Sequence, residues 1–137
     1  MMDPYRLKTM LIRHEGLRLR IYPDSVGKWT IGVGRNLSDR GISENEAYYL
    51  LSHDIADSIS DMRATFPEFD AFSEDRQLAL VDMRFNLGLG NFLKFKRMVE
   101  DIQKERWDLA AIEALDSKWA TQVGNRATEI ALMLKVG

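Results

Sequence analysis

The chain has 137 residues, the length of a single domain and enough to bury a hydrophobic core. Its 19 Lys and Arg against 21 Asp and Glu give a net charge of −2. This balance argues against a dedicated nucleic-acid binder and gives no long-range attraction to anionic envelopes. Cysteine is absent, which excludes disulfides and thiolate metal sites, and His14 and His53 lack the spacing of zinc ligands. We therefore expect no metal and no cofactor.

The hydropathy of the chain predicts no stable membrane insertion. No stretch approaches the roughly 18 to 20 apolar residues that cross a bilayer. The N-terminus, MMDPYRLKTM, is polar from its third residue, which is unlike a secretory signal and predicts synthesis in a cytoplasm. No oligomerisation signal is visible, so we expect a monomer.

The N-terminal part predicts a helix followed by a β-hairpin. Asp3 as N-cap and Pro4 as first helical residue open a helix that Gly16 ends. From Leu17 the apolar period becomes two, and the turn cluster in PDSVG separates LRLRIY from a second alternating segment, WTIGVG. Two alternating segments joined by such a turn are typical of a hairpin.

The remainder of the chain has helical periodicity. Ser43 and Glu46 form a capping box that opens a long helix to about Phe66, where Pro67 ends it. Ser73 opens a second helix to about Phe85, with a run that is apolar on most sides and is therefore expected at the buried centre. Further helices are predicted over 92–103, 107–115 and 125–134.

The predicted fold is α+β, a single domain over residues 1–137. Its small lobe, 15–60, carries a short β-hairpin or sheet and the long helix between the lobes. Its second lobe is a helical bundle of residues 67–137 together with the N-terminal helix 3–14.

Two carboxylates stand in contrasting surroundings. Glu15 is at the carbonyl end of the first helix, where the helix dipole disfavours the ionised form and so suits a general acid. Asp24 lies in the polar hairpin turn, where a carboxylate stays charged. Thr30, on the second strand, has a hydroxyl that can point with Asp24 and hold a water. Such a pair of carboxyl groups is the usual equipment for glycoside hydrolysis.

The string HEGLRLRIYPDSVGKWTIGVG resembles the catalytic segment of the phage-type lysozymes, the T-even endolysin family of glycoside hydrolases. The resemblance implies that Glu15 is the general acid and that Asp24 and Thr30 position the attacking water. It implies a lysozyme-like fold and cleavage of the β-1,4 bond between N-acetylmuramic acid and N-acetylglucosamine in peptidoglycan. A hydroxyl beside Asp24 suits a held water better than direct attack on carbon, so we expect inversion of configuration.

The stretches DMRFNLG, ERWDLAA and WATQVGNRA extend the resemblance to the C-terminal half. By that likeness, Phe85 and Asn86 line the glycan groove, Gln122 supports it, and Arg126 approaches Glu15. Asn36 is expected on the lip of the same groove. The resemblance further implies that glycan strands of periplasmic peptidoglycan are the partner and that a separate holin-like pore releases the protein.

Two rival functions remain open. A lytic transglycosylase needs one acid and no water-holding pair, so Asp24 and Thr30 favour hydrolysis. A non-catalytic glycan-binding or interaction module of the same fold is the second rival, although neither carboxylate is lost.

Arg35 occupies a position where the resembling family often has histidine. The connection between Gly34 and Ser43 is short, and it predicts an ion pair between Arg35 and Asp54.

Overall fold

The computed structural model describes the whole chain, residues 1–137, and confirms the α+β class. Eight helices accompany one three-stranded antiparallel sheet in the order β1-β2-β3. The strands are β1 (Arg18–Pro23), β2 (Trp29–Gly32) and β3 (Arg35–Asn36). The helices are α1 (Pro4–Glu15), α2 (Glu44–Thr65), α3 (Glu74–Leu87), α4 (Leu89–Leu93), α5 (Lys96–Gln103), α6 (Trp107–Leu115), α7 (Lys118–Val123) and α8 (Asn125–Val136).

The chain divides into two compact units, Met1–Tyr49 and Leu50–Gly137. The first contains α1, the sheet and the beginning of α2. The second contains the rest of α2 and the remaining helices. The lobe boundaries predicted from the sequence, including the grouping of helix 3–14 with the helical lobe, stay a prediction. None of the helices combines the length and the apolar character that a membrane span requires.

Helix α1 begins and ends where its capping residues predict. The Asp3 carboxylate accepts the backbone N–H of Tyr5 at 3.0 Å, and Pro4 occupies the first helical position. Gly16 follows the last turn with φ of 79° and donates its N–H to the carbonyl of Ile12. A residue with a Cβ is strained at such a φ, which explains a glycine at this helix end.

The sheet contains one strand more than the predicted hairpin. β2 ends at Gly32, and a turn at Val33 and Gly34 leads into the two-residue strand β3. Thr30 is the residue that links the three strands, because it pairs with Tyr22 on β1 and with Asn36 on β3. β3 was missed because two residues carry no detectable alternation.

Side chains in the turns supplement this short ladder. The Trp29 N–H donates to Ser38 Oγ at 2.9 Å, and the Asn36 amide donates to Asp39 at 3.0 Å. Asp39 also accepts from Lys28 Nζ at 3.1 Å, and these two hydrogen bonds lower the pKa of Asp39. Thr30 is the one buried residue between positions 1 and 49. Polar bonds in the turns therefore hold this unit more than apolar burial does.

Helix α2 opens with the predicted capping box. The Ser43 hydroxyl accepts the N–H of Glu46 at 3.2 Å, and Glu46 Oε1 accepts the N–H of Ser43 at 2.9 Å. Two backbone donors of the first turn are thereby satisfied reciprocally. The helix ends at Thr65, just before Pro67.

The second unit has one contiguous apolar core. Phe66 and Phe92 are fully buried and meet edge to face with ring centroids 6.3 Å apart. Phe92 belongs to α4, and α7 contributes the buried Trp119. The other helices of the unit contribute the remaining buried neighbours: Met62, Leu80, Met83, Met98, Ile102, Ala110, Ile130 and Leu134. Expulsion of this apolar surface from water is the main source of the unit's stability.

The sequence analysis overestimates how much of α3 is buried. Ala79, Leu80 and Met83 are buried, but Leu78 remains 53% exposed and Phe85 40% exposed. The run is apolar on most sides, yet neighbouring helices cover only one face of it. α3 is therefore a one-sided core helix rather than a fully buried one.

Two further helix predictions need correction. The helix expected over 92–103 is split into α4 and α5, because i→i−3 bonds at Lys94 and Phe95 tighten and end the first piece. The break turns the Phe95 ring onto Trp119, edge to face at 6.2 Å. The short helix α7 and a 3₁₀ turn at Phe69–Ala71 were not predicted, since neither is long enough to develop periodicity.

Candidate active site

Glu15 is the last residue of α1, and its side chain is exposed. Its carboxylate lies against the backbone of Gly34, in the turn between β2 and β3. A Cβ built on Gly34 would lie 2.7 Å from Glu15 Oε2 and 3.0 Å from Cδ. Residue 34 must therefore be a glycine for the carboxylate to occupy this position.

Asp24 is held by the backbone of its own turn. Its Oδ1 accepts the N–H of Val26 at 2.9 Å and the N–H of Lys28 at 2.8 Å. The Asp24 N–H donates to the carbonyl of Lys28 at 2.8 Å, which closes the turn. The carboxylate is thus fixed in rotation, and Oδ2 accepts neither of these backbone bonds.

Thr30 is 3% exposed and sits in the middle of the sheet. Its hydroxyl donates to the carbonyl of Lys28 at 2.9 Å. Because that bond uses the only hydrogen of the hydroxyl, Oγ1 can interact with a further group only as an acceptor.

The backbone of Lys28 connects the two predicted water-holding residues. Its N–H binds Asp24 Oδ1, and its carbonyl accepts the hydroxyl of Thr30. One peptide segment therefore orients both side chains, and both offer lone pairs rather than hydrogens. Sequence analysis gave no role to Lys28, because the contribution comes from the main chain and leaves no side-chain signal.

The second unit contains a groove of about 500 Å³ in which two of the predicted substrate residues meet. Phe85 and Arg126 both line it, beside apolar side chains that include Ile55 and Val81. Arg126 Nε donates to Asp82 Oδ1 at 2.8 Å, and both residues line the groove, which therefore carries a paired charge.

The other predicted substrate residues lie elsewhere. Asn86 accepts the indole N–H of Trp119 at 2.8 Å, which occupies its carbonyl oxygen. Gln122 is exposed near the end of α7. Asn36 belongs to the first unit, where its amide is bonded to Asp39 and its backbone pairs with Thr30. The role of these residues toward a substrate stays a prediction.

Comparison with known proteins decides the family. The family model of phage lysozyme matches residues 12–133, a range that includes Glu15, Asp24 and Thr30. The chain belongs to the phage lysozyme family.

Curated relatives agree with this assignment. Two proteins of Dictyostelium discoideum, probable T4-type lysozymes 1 and 2, are each 29% identical to the chain over 96% of its length and 94% of theirs. The pre-baseplate central spike protein Gp5 of Enterobacteria phage T4 is also 29% identical over 96% of this chain, which covers 28% of that longer protein. Family and relatives support a lysozyme, a glycoside hydrolase, and confirm the resemblance seen in the sequence.

The partner predicted for Arg35 is wrong. Instead of Asp54, its guanidinium pairs with Glu46, Nη1 lying 2.9 Å from Oε1 and Nη2 lying 2.8 Å from Oε2. The hydrogen bond from Arg35 and the N–H of Ser43 lower the pKa of Glu46 to about 2. The path of the loop between β3 and α2 brings the first turn of α2 to Arg35, whereas Asp54 lies about two turns further along the helix.

Sequence analysis also missed two contacts of the candidate site, that of Gly34 with Glu15 and that of Glu46 with Arg35. The sequence analysis treats Gly34 only as part of the family pattern, although a glycine next to a strand can mark a close backbone approach. It gives Glu46 a role in the capping box alone.

Proposed function

We propose that this protein hydrolyses the β-1,4 bond between N-acetylmuramic acid and N-acetylglucosamine in peptidoglycan, with Glu15 as general acid and Asp24 and Thr30 holding the attacking water. The proposal depends above all on the joint orientation of Asp24 and Thr30 by the backbone of Lys28. Family membership and the T4-type lysozyme relatives support the choice of substrate.

The two water-holding residues present complementary chemistry. Asp24 Oδ2 accepts one hydrogen of a water, and Thr30 Oγ1, whose own hydrogen goes to Lys28, accepts the other. A water that donates both hydrogens directs a lone pair away from the protein, toward a sugar carbon. Asp24 then takes the proton as the new C–O bond forms.

Glu15 supplies the other half of the reaction. Its side chain is exposed, so the carboxyl group is open to the glycosidic oxygen of a substrate. In its protonated form it donates to that oxygen as the glycosidic bond breaks.

The water-holding pair favours inversion of configuration. A carboxylate that attacks carbon directly leaves about 5–5.5 Å between the two carboxyl groups, whereas an intervening water needs roughly 6.5–9.5 Å. A threonine hydroxyl that can only accept a hydrogen bond is useful to a water and of no use to a carboxylate nucleophile. A β-linked glycan would therefore give an α-anomeric product first.

The glycan contacts proposed for this reaction are Asn36, Phe85, Asn86, Gln122 and Arg126. Phe85 offers an exposed aromatic surface for a sugar face, and Arg126, paired with Asp82, lines the same groove. No metal or cofactor takes part in the proposed reaction, and no group of three or more metal-ligating side chains lies close enough to hold an ion.

Digestion of purified peptidoglycan tests the proposal. Wild-type protein should release muropeptides with new muramic acid reducing ends. Each cleaved glycosidic bond should add the mass of one water to the products. Glu15→Gln should lower the rate about 10²- to 10⁴-fold while its circular dichroism stays unchanged. Glu129→Gln removes another exposed carboxylate, on α8, and should keep the wild-type rate.

Two results would contradict the assignment. Anhydro-muramic products without new reducing ends would indicate a transglycosylase. Sedimentation of the protein with peptidoglycan, without any released product, would indicate a binding module.

A further inference from the structure

We infer that Arg35 and Glu46 are positioning residues for this site, and that their ion pair holds the β2–β3 turn against which the general acid Glu15 rests. The inference rests on the proposed function, since it assigns Glu15 a catalytic part. It adds two residues that make no contact with the predicted triad.

The first observation is the place of Arg35 in the chain. Its preceding neighbour is Gly34, whose backbone meets the carboxylate of Glu15. Its following neighbour is Asn36, which pairs with Thr30 across the sheet. A shift of Arg35 therefore displaces both Gly34, which lies beside Glu15, and Asn36, which pairs with Thr30.

The second observation is the shortness of the strand to which Arg35 belongs. β3 consists of two residues, which pair with Thr30 and Ile31 of β2, and just beyond it the N–H of Leu37 donates to the carbonyl of Trp29 at 2.7 Å. Beyond β3, residues 37–40 form a turn, and residues 41–43 belong to neither a helix nor a strand. A two-residue strand at a sheet edge gives few main-chain hydrogen bonds, so a side-chain anchor has a large share in fixing it.

The third observation is the strength of that anchor. Arg35 uses both terminal nitrogens on both oxygens of Glu46, a fork-to-fork arrangement that fixes orientation as well as distance. Arg35 Nη1 also lies 3.3 Å from the carbonyl of Gly41. Glu46 is itself held by the N–H of Ser43, so the guanidinium is tied to a helix end rather than to a mobile side chain.

The charge state of the pair is constant under working conditions. The hydrogen bond from Arg35 lowers the pKa of Glu46 to about 2, and the same bond raises the pKa of Arg35 above its ordinary value. Neither group changes charge between pH 5 and pH 9. The ion pair between Arg35 and Glu46 therefore keeps both of its charges throughout this pH range.

The test compares two ion pairs in which an arginine donates through two nitrogens to one carboxylate group. Arg35→Gln and Glu46→Gln remove the pair beside Glu15. Arg84→Gln removes the matched pair with Asp61, whose shortest contact is 2.6 Å and whose side chains are also partly buried, in the second unit. Rates are measured on soluble glycan chains at a temperature at which circular dichroism shows all variants folded.

We expect Arg35→Gln and Glu46→Gln to lower kcat about tenfold or more with KM changed less than twofold. Arg35→Lys, which keeps the charge and loses the fork, should recover part of kcat. Arg84→Gln should lower the melting temperature and leave kcat unchanged. If Arg35→Gln lowers the melting temperature as Arg84→Gln does but keeps the wild-type kcat, the pair is structural only and the inference is wrong.

A second readout needs no catalysis. In the ¹H–¹⁵N spectrum, Glu15→Gln should displace the Gly34 amide resonance in the wild-type background. It should displace that resonance much less in the Arg35→Gln background, because the turn no longer rests on residue 15. An equal displacement in both backgrounds overturns the inference, even if the wild-type protein proves inactive and the proposed function fails.

Discussion

The carboxylate of Glu15 lies beside the backbone of Gly34, so closely that a methyl group added at residue 34 would lie 2.7 Å from Oε2. The glycine also has a φ of +66°, a conformation that side-chain-bearing residues adopt at a cost. The general acid of the proposed reaction is thus shaped by a residue that has no side chain.

Gly34→Ala should therefore damage activity more than stability. The positive φ costs about 1–2 kcal/mol, and the new methyl group must in addition push Glu15 aside. The matched control is Gly88→Ala, where φ is +78° and nothing lies within 4 Å of the added Cβ. Both variants should lose similar stability in urea unfolding, whereas only Gly34→Ala should lose about tenfold or more in lytic rate. Equal rates for the two variants would contradict the contact's importance.

Thr30→Ala should remove most of the activity, because Asp24 alone holds a water in many orientations. Thr30→Ser keeps the hydroxyl and should retain a substantial part of the rate.

The anomer formed first by the wild-type protein, observed by NMR before mutarotation, should be α. A β-anomer that appears first would overturn inversion and leave the substrate assignment intact.

Glu46 should contribute a pH-dependent part of the stability. Its pKa falls from an ordinary 4.5 to about 2 in the folded protein, so the folded state binds a proton less readily than the unfolded state. The contribution is complete above about pH 5 and is lost as the pH falls toward 2. Melting temperatures of wild type and Glu46→Gln should differ by a constant amount from pH 5 to 7 and converge below pH 4. A constant difference down to pH 2 would disagree with this assignment.

Asn86 should prove important for stability whatever its role toward glycans. Its carbonyl oxygen is the acceptor for the indole N–H of Trp119, a buried side chain. Asn86→Ala leaves that donor unpaired, which costs about 1–3 kcal/mol in chemical unfolding. Asn86→Asp retains an acceptor oxygen and should recover most of the loss. If Asn86→Ala is as stable as the wild type, the hydrogen bond contributes nothing in solution.

Local signals predicted much of the fold. Asp3, Gly16, Ser43 and Ser73 mark helix ends through chemistry that acts within four residues, so a sequence is enough to find them. The break at Phe95 was missed because the ring contact that accompanies it, with Trp119, joins residues far apart in the sequence.

The candidate site also has a part that the local sequence predicts and a part that depends on the fold. Glu15, Asp24 and Thr30 fall within one short segment with a recognisable pattern. The partner of Arg35 depends on the path of the loop from β3 to α2, and no periodicity encodes that path. Several oppositely charged residues follow Arg35 at accessible separations, and only the folded loop selects Glu46.

The near absence of buried side chains between residues 1 and 49 has a consequence for heat inactivation. The first unit depends on turn hydrogen bonds that water can replace, whereas the second has an aromatic and aliphatic core. Regions with few buried apolar contacts open at lower free energy than the molecule as a whole. On warming, enzymatic activity should therefore be lost several degrees before the helical content, so that a heated sample still has the circular dichroism spectrum of a folded protein after its activity is gone.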